Sequence, residues 1–218
     1  MNVVKIAIYG AGGFGREVAW LAQSVSMNEQ RCEVVCFMDD NHALCGTKVN
    51  GLEVLSLEQA TKKYPSIFVV SGIGVPKLRE LTMQKAGNAG FYFATLIHPR
   101  TEMSKWIEIG EGTVICAGNI LTTNIVLGKQ VQINLDCTLG HDVVLSDYAT
   151  LAPGVHVSGC VQIGRRAYIG TGAEILNGTQ NDPIVIGDDA VIGAGACVTC
   201  SIPSGQTWVG VPAKPVRR

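Results

Sequence analysis

The sequence predicts an α/β, Rossmann-like N-terminal domain followed by a parallel β-helix, and three observations carry that reading. Twelve aliphatic residues stand six apart without a break: Ile109, Ile115, Leu121, Leu127, Ile133, Leu139, Leu145, Leu151, Val157, Ile163, Ile169 and Ile175. The series resumes out of phase at Ile186, Ile192 and Val198. Period six is neither the 3.6 of an α-helix nor the 2 of a lone strand. It marks hexapeptide coils in which each flat face supplies one inward aliphatic. Upstream, apolar runs alternate with helical patterns, the order of a parallel α/β sheet. Between the first run and the first helix stands G-x-G-x-x-G at Gly10, Gly12 and Gly15.

The elements follow in order. Residues 3–10 form a buried strand ending in glycine. Residues 16–25 form a helix with Val18, Ala19, Leu21, Ala22 and Val25 on one face. A second strand, 33–38, ends at Asp39-Asp40, with Cys32 and Cys36 flanking it. A third strand covers 67–74, a helix 76–85 and a fourth strand 90–97. The domains are 1–98, the α/β unit, and 99–218, the β-helix with its tail. In the β-helix, small or apolar residues recur four positions after an anchor, among them Thr113, Val131, Cys137, Ala149 and Ala173, and fill the interior beside it. Glycine often follows an anchor directly, at 110, 128, 140, 164, 170, 187 and 193, where a corner calls for positive φ. The segment 177–183 breaks the phase and reads as a loop bulging from a coil.

Composition narrows the function. The 218-residue chain carries a net charge of −1 and 16% charged residues, which argues against nucleic-acid binding. No eighteen-residue apolar stretch predicts a membrane span, and the N-terminus lacks a secretory signal. Eight cysteines without an export signal read as free thiols in a reducing cytoplasm. Cys197 and Cys200 form C-x-x-C inside the repeat, but neither they nor Cys32 and Cys36 have partners at finger-like spacing, so no metal is expected. Lys214, Arg217 and Arg218 form a basic tail, either solvated or touching an anionic ligand.

Two sites carry chemistry. Backbone amides of the glycine loop approach a phosphate at a helix N-terminus, and Asp39 can accept hydrogen bonds from a ribose or base. The α/β unit matches one mononucleotide half rather than two, which favours the nucleotide end of a larger ligand over NAD. A tight strand–helix turn without a ligand is the alternative. In the β-helix, His141 lies two positions after the anchor Leu139, a phase that turns it outward. Histidine takes a proton from an amine or hydroxyl near neutrality, and the adjacent Asp142 can fix its tautomer. A surface pair without function is the competing reading. His42 reads as surface, His98 as structural, and His156 as a corner residue that lines a cleft in the sharper reading.

The combination of YGAGGFG, FMDD, INLDCTLGHD and a terminal VGVPAK resembles the bacterial NeuD/PglD-like acyltransferases over essentially the whole chain. The resemblance implies a left-handed β-helix, a homotrimer, and acetyl-CoA lying in a groove between neighbouring β-helices. It implies N-acetylation of the 4-amino group of a nucleotide-linked amino sugar. His141 matches the general base and Asp142 its acidic support. Gly12, Gly13, Phe14, Asp39, Asp40 and Gly74 match substrate-binding positions. Thr171, Ala194 and the tail ending at Lys214 match coenzyme contacts. Thr150 stands where PglD-like members carry a second histidine on the acetyl carbonyl, His156 stands where sialate-type relatives also carry histidine, and both are expected among the acetyl-CoA contacts. Alternatives are an O-acetyltransferase of a sialic-acid-like sugar, a non-catalytic nucleotide-binding trimer and a dehydrogenase.

Overall fold

The computed structural model describes residues 3–27 and 30–216. The chain divides into two compact units, residues 1–99 and 100–218. Arg217 and Arg218, the end of the basic tail, lie outside the described residues.

The first unit runs β1 (Val4–Tyr9), α1 (Gly13–Ala22), β2 (Ser26–Met27), β3 (Gln30–Met38), β4 (Lys48–Val49), β5 (Leu52–Leu55), α2 (Leu57–Lys63), β6 (Phe68–Ser71), α3 (Pro76–Asn88) and β7 (Tyr92–Phe93). The sheet order is β4-β5-β3-β1-β6-β7, with β2 paired to β3. β1 is central because it is apolar on both faces: Ile6, Ala7 and Ile8 are completely buried. Its neighbours β3 and β6 are both parallel to it. The chain therefore leaves β1 in one direction and later returns on its other side, a switch point that opens a crevice at the strands' carboxyl ends.

Several boundaries differ from the expectation. α1 begins at Gly13 rather than Arg16, because the glycine loop itself forms the first turn behind Gly12. β3 begins at Gln30, so Cys32 and Cys36 lie inside it rather than flanking it. The run 90–97 divides into Tyr92–Phe93 and Leu96–Ile97. The β4–β5 hairpin and α2 were not anticipated, although their signals are present. Asn50 and Gly51 take positive φ in the hairpin turn. Ser56 and Gln59 form a reciprocal capping box at the start of α2.

The second unit is a left-handed parallel β-helix of three faces. The first face stacks Ile107–Ile109, Ile125–Leu127, Val144–Leu145, Val161–Ile163 and Ile184–Ile186. The second stacks Val114–Ile115, Gln132–Ile133, Thr150–Leu151, Tyr168–Ile169, Val191–Ile192 and Thr207–Val209. The third stacks Glu102–Met103, Ile120–Leu121, Thr138–Leu139, His156–Val157, Glu174–Ile175 and Cys197–Val198. Anchors from Ile115 to Val198 point inward and are at most 2% exposed. Ile109, in the first coil, is only partly covered. Val131, Cys137, Ala149, Val155, Ala167 and Ala173 fill the space beside the anchors and are wholly buried.

The glycines that follow anchors do not adopt positive φ. Left-handed residues stand two positions later, at Gly112, Gln130, Asp142, Arg166, Gly172, Asp189 and Gly195. The anchor-following glycines are needed for closeness instead. A Cβ at Gly128 would lie 2.6 Å from the Asp147 nitrogen, and one at Gly140 2.7 Å from the Gly159 nitrogen. No Cβ fits where one coil's backbone presses on the next.

The phase break has a definite place. Coils advance by 18 residues up to this point and by 23 across it. The extra residues form a loop between Ile175 and Ile184, at the edge joining the third face to the first. The Gly178 amide donates to the Gly159 carbonyl at 3.0 Å, and Ile184 rejoins the ladder through the Cys160 carbonyl at 3.2 Å.

Burying one such aliphatic side chain contributes about 1.5–3 kcal/mol. Leu151 is completely buried, so Leu151→Ala is expected to destabilise the protein by about 2–5 kcal/mol in denaturant unfolding, with the cavity adding to the lost transfer energy.

Candidate active site

The first unit holds a cavity of about 330 Å³ at the carboxyl ends of β1, β3 and β6. Gly12, Gly13, Phe14, Asp39, Asp40 and Gly74 all line it, together with Tyr9, Gly72, Ile73, Leu78 and Thr82. The loop's glycines have separate duties. Gly10 has φ +111°, which a residue with a side chain rarely adopts, and a Cβ on Gly15 would lie 1.9 Å from the Gly10 carbonyl. A Cβ on Gly12 meets nothing within 4 Å, and no side chain caps α1 there. The first amides of α1 thus remain available to an anion.

The two aspartates differ. Asp39 accepts the Ala11 amide on one oxygen and the Asn41 amide on the other, both at 2.9 Å. Its carboxylate ties the glycine loop to the end of β3. Asp40 accepts the Tyr9 hydroxyl and the Lys85 ammonium, each at 2.5 Å. Partial burial opposes its charge, but the bonds from Lys85 and Tyr9 outweigh that and hold the carboxyl below the usual range. Burial pushes the Tyr9 phenol up, and its bond to Asp40 adds to this, so the hydroxyl stays a donor. Arg79, which the sequence reading passed over, is completely buried and donates to the Ile73 and Gly74 carbonyls at 3.1 and 3.3 Å. It fixes the loop after β6 that closes one wall of the cavity.

In the second unit, His141 sits on the edge between the third and first faces. Its side chain is 61% exposed, and its Nδ1 lies 2.7 Å from Asp142 Oδ2. Asp142 is at the left-handed corner position, φ 59°, which swings its carboxylate back toward the ring. Asn124, one coil earlier and also left-handed at φ 54°, donates to Asp142 Oδ1 at 3.3 Å. The bond to His141 lowers the Asp142 carboxyl, and Asn124 assists. With Nδ1 donating to an ionised Asp142, Nε2 is the nitrogen left to accept a proton. The ring lies over Gly159, where a Cβ would stand 2.5 Å from His141 Nε2. Asn124 and Gly159 escaped the linear reading because each stands about one coil from His141. The signal was the eighteen-residue wrap, which the anchor series already contained.

The coenzyme candidates separate. Thr171 and Ala194 stack on the edge between the second and third faces: a Cβ at Gly170 would lie 2.7 Å from the Ala194 nitrogen, and Gly195 donates to the Thr171 carbonyl at 2.8 Å. Lys214 pairs with Val209, which itself packs over Gly193, so Lys214 lies one strand beyond the layer that covers Ala194. His156 is on a flat face rather than at a corner, opposite Thr138 and Glu174, with Nδ1 2.8 Å from the Thr138 hydroxyl. Thr150 lies on the second face and is 5% exposed. It does not join His141 within the chain, because nine residues carry the backbone past the first face to the second. His42 is exposed and His98 buried.

Comparison with known proteins places this geometry. Residues 5–86 match the PglD N-terminal domain. Over 213 residues, 97% of the chain, it is 36% identical to the GDP-perosamine N-acetyltransferase of Escherichia coli O157:H7, covering 96% of that protein. The chain belongs to the PglD-like sugar acetyltransferases. WeeI from Acinetobacter baumannii AYE superposes with TM-score 0.88 at 37% identity, covering 99% of this chain and all of that one. A histidine-to-asparagine variant of perosamine N-acetyltransferase from Caulobacter crescentus, in complex with CoA and GDP-perosamine, superposes with TM-score 0.86 at 27% identity over 98% and 97% of the two chains. The chain is an acetyltransferase of this PglD-like family.

Gly159→Ala tests the support of the His141 ring. It is expected to leave the β-helix folded yet displace the imidazole, lowering kcat by about a hundredfold, since a misplacement near 1 Å costs about that much. Steady-state kinetics with circular dichroism check this.

Proposed function

We propose that this acetyltransferase moves the acetyl group of acetyl-CoA to the 4-amino group of a GDP-linked amino-deoxy sugar, with His141 as general base. One observation supports the reading above all: a single chain, 36% identical along nearly its whole length to a GDP-perosamine N-acetyltransferase, carries both a glycine-lined cavity and the His141–Asp142 pair. The cavity holds the nucleotide, with phosphate oxygens on the amides that open α1 and the base toward Asp40. In the reaction the acceptor nitrogen attacks the thioester carbonyl. His141 Nε2 takes the proton from the amine, and Asp142 stabilises the imidazolium. A backbone amide holds the oxyanion. As the intermediate collapses, the carbon–sulfur bond breaks and the imidazolium proton passes to the departing thiolate. No acyl-enzyme forms.

The coenzyme occupies the edge bearing Thr171, Ala194 and Lys214. The working form is a homotrimer, in which a neighbour's second face, with Thr150, is brought to the His141 edge. Outward apolar side chains such as Ile120, Val126, Val185 and Val191 remain exposed on the isolated chain, which favours such assembly. The eight cysteines are all unpaired, in keeping with a reducing cytoplasm, and no helix among the described residues is long and apolar enough to cross a membrane.

The test is an acceptor panel of GDP-, UDP- and dTDP-linked 4-amino sugars and free sialic acids, with acetylated product read by mass spectrometry. The GDP-linked amine is expected to react. Turnover confined to a free sialic acid would replace this reading with O-acetylation. His141→Ala is expected to lose at least about a hundredfold in kcat while keeping its sedimentation coefficient, and near-normal turnover would remove His141 from the mechanism.

A further inference from the structure

We infer that His141, Asp142 and Cys160 form a binding site for a zinc-class divalent cation, and that occupancy of this site switches the acetyltransferase off. Three side chains of different chemistry meet where the coil carrying His141 stacks on the next. An imidazole nitrogen of His141, a carboxylate oxygen of Asp142 and Sγ of Cys160 all lie within 4.8 Å of one another. The backbone holds them there. The Cys160 amide donates to the His141 carbonyl at 2.9 Å, and Asp142 and Cys160 occupy successive left-handed corner positions, φ 59° and 56°.

Cys160 is unlike the cysteine that packs the core nearby. Cys137 is buried, and its sulfur reaches the carbonyls of Asn134, Leu135 and Ala152. Cys160 is 7% exposed, yet among the described residues its thiol makes no hydrogen bond. A packing role does not require its sulfur to be beside an imidazole and a carboxylate. One nitrogen, one oxygen and one sulfur donor suit zinc, cadmium or cobalt(II) rather than magnesium or calcium, which take oxygen ligands. The fourth position falls to water, because the His141 side chain is largely open to solvent. Entry of the ion releases the Cys160 thiol proton to solvent, while the one imidazole proton stays on the His141 nitrogen that the ion leaves free. No electron is transferred.

The inhibitory consequence rests on His141 being the base, since an imidazole held by a cation cannot take a proton from the amine. Binding itself does not depend on that reading, and the experiment separates the two. The metal-free protein, with Cys197→Ser and Cys200→Ser removing the C-x-x-C, is titrated with cobalt(II) in the absence of substrates. A thiolate-to-cobalt charge-transfer band is expected, and Cys160→Ser should abolish it. Zinc is then added to the turnover assay, read by acetylated product because released coenzyme thiol also binds zinc. The zinc concentration for half-inhibition should rise at least about tenfold in Cys160→Ser, whereas metal-free turnover should be unchanged. Absence of the band, or its persistence in Cys160→Ser, overturns the site. The band without zinc inhibition of turnover overturns the switch and leaves the site.

Discussion

Everything in the second unit depends on one constraint: each coil must hydrogen-bond to the next along all three faces at strand spacing, about 4.8 Å. This demands an inward aliphatic every six residues, makes the regular coil eighteen long, forces the extra residues of the one 23-residue coil out as a loop, and excludes a Cβ wherever a corner lies directly over its neighbour. Gly140 satisfies the last demand against Gly159. The same stacking makes the site. His141 is presented by a corner that cannot move without breaking the bonds from Gly140 to Val157 and from Cys160 to His141. Its ring rests on Gly159, and its partner Asp142 is held from the preceding coil by Asn124. An exposed imidazole thereby acquires a fixed position from backbone geometry rather than from burial.

The first unit meets a comparable demand by other means. Its cavity exists because β1 is central and the chain crosses over on both sides of it. Glycines 10, 15 and 72 allow three backbone segments to touch. Asp39 and Arg79 then spend their charges on backbone groups, Asp39 on the loop before α1 and Arg79 on the loop after β6. What remains for a ligand is a set of open amides and Asp40, whose partners Tyr9 and Lys85 hold it ionised.

Most of the β-helix was legible because its hydrophobic period is exact and local: the anchors give each residue's face, and the face of Leu139 gives the outward direction of His141. One expectation fails where position along the chain stands in for position in space. Glycines after anchors were assigned to positive φ, but that conformation belongs to a residue two places on, and Asp142 owes its geometry to it. Thr150, matched by resemblance to an acetyl-contacting position, lies on the second face, which does not adjoin the His141 edge of the same chain. Asn124, Gly159 and Cys160 went unnoticed because contacts one coil apart are invisible until the wrap is applied. The loop 176–183 gained a meaning in the same way: it stacks on Gly159 and Cys160, on the edge that His141 occupies. In the first unit the glycine motif and Asp39-Asp40 were readable, whereas Arg79 was not, because a lone arginine in a helix pattern reads as surface.

The central claim is that nucleotide binding belongs to the glycine-lined cavity and proton transfer to the His141 edge. Calorimetric titration of GDP into two variants tests it most directly. Gly12 has extended backbone and open space beyond its Cα, so Gly12→Leu fills the cavity without straining the fold. The account predicts that Gly12→Leu weakens GDP binding by at least about tenfold, a loss of about 1.4 kcal/mol, while His141→Ala leaves the Kd unchanged. Unaltered binding in Gly12→Leu, or lost binding in His141→Ala, would contradict it.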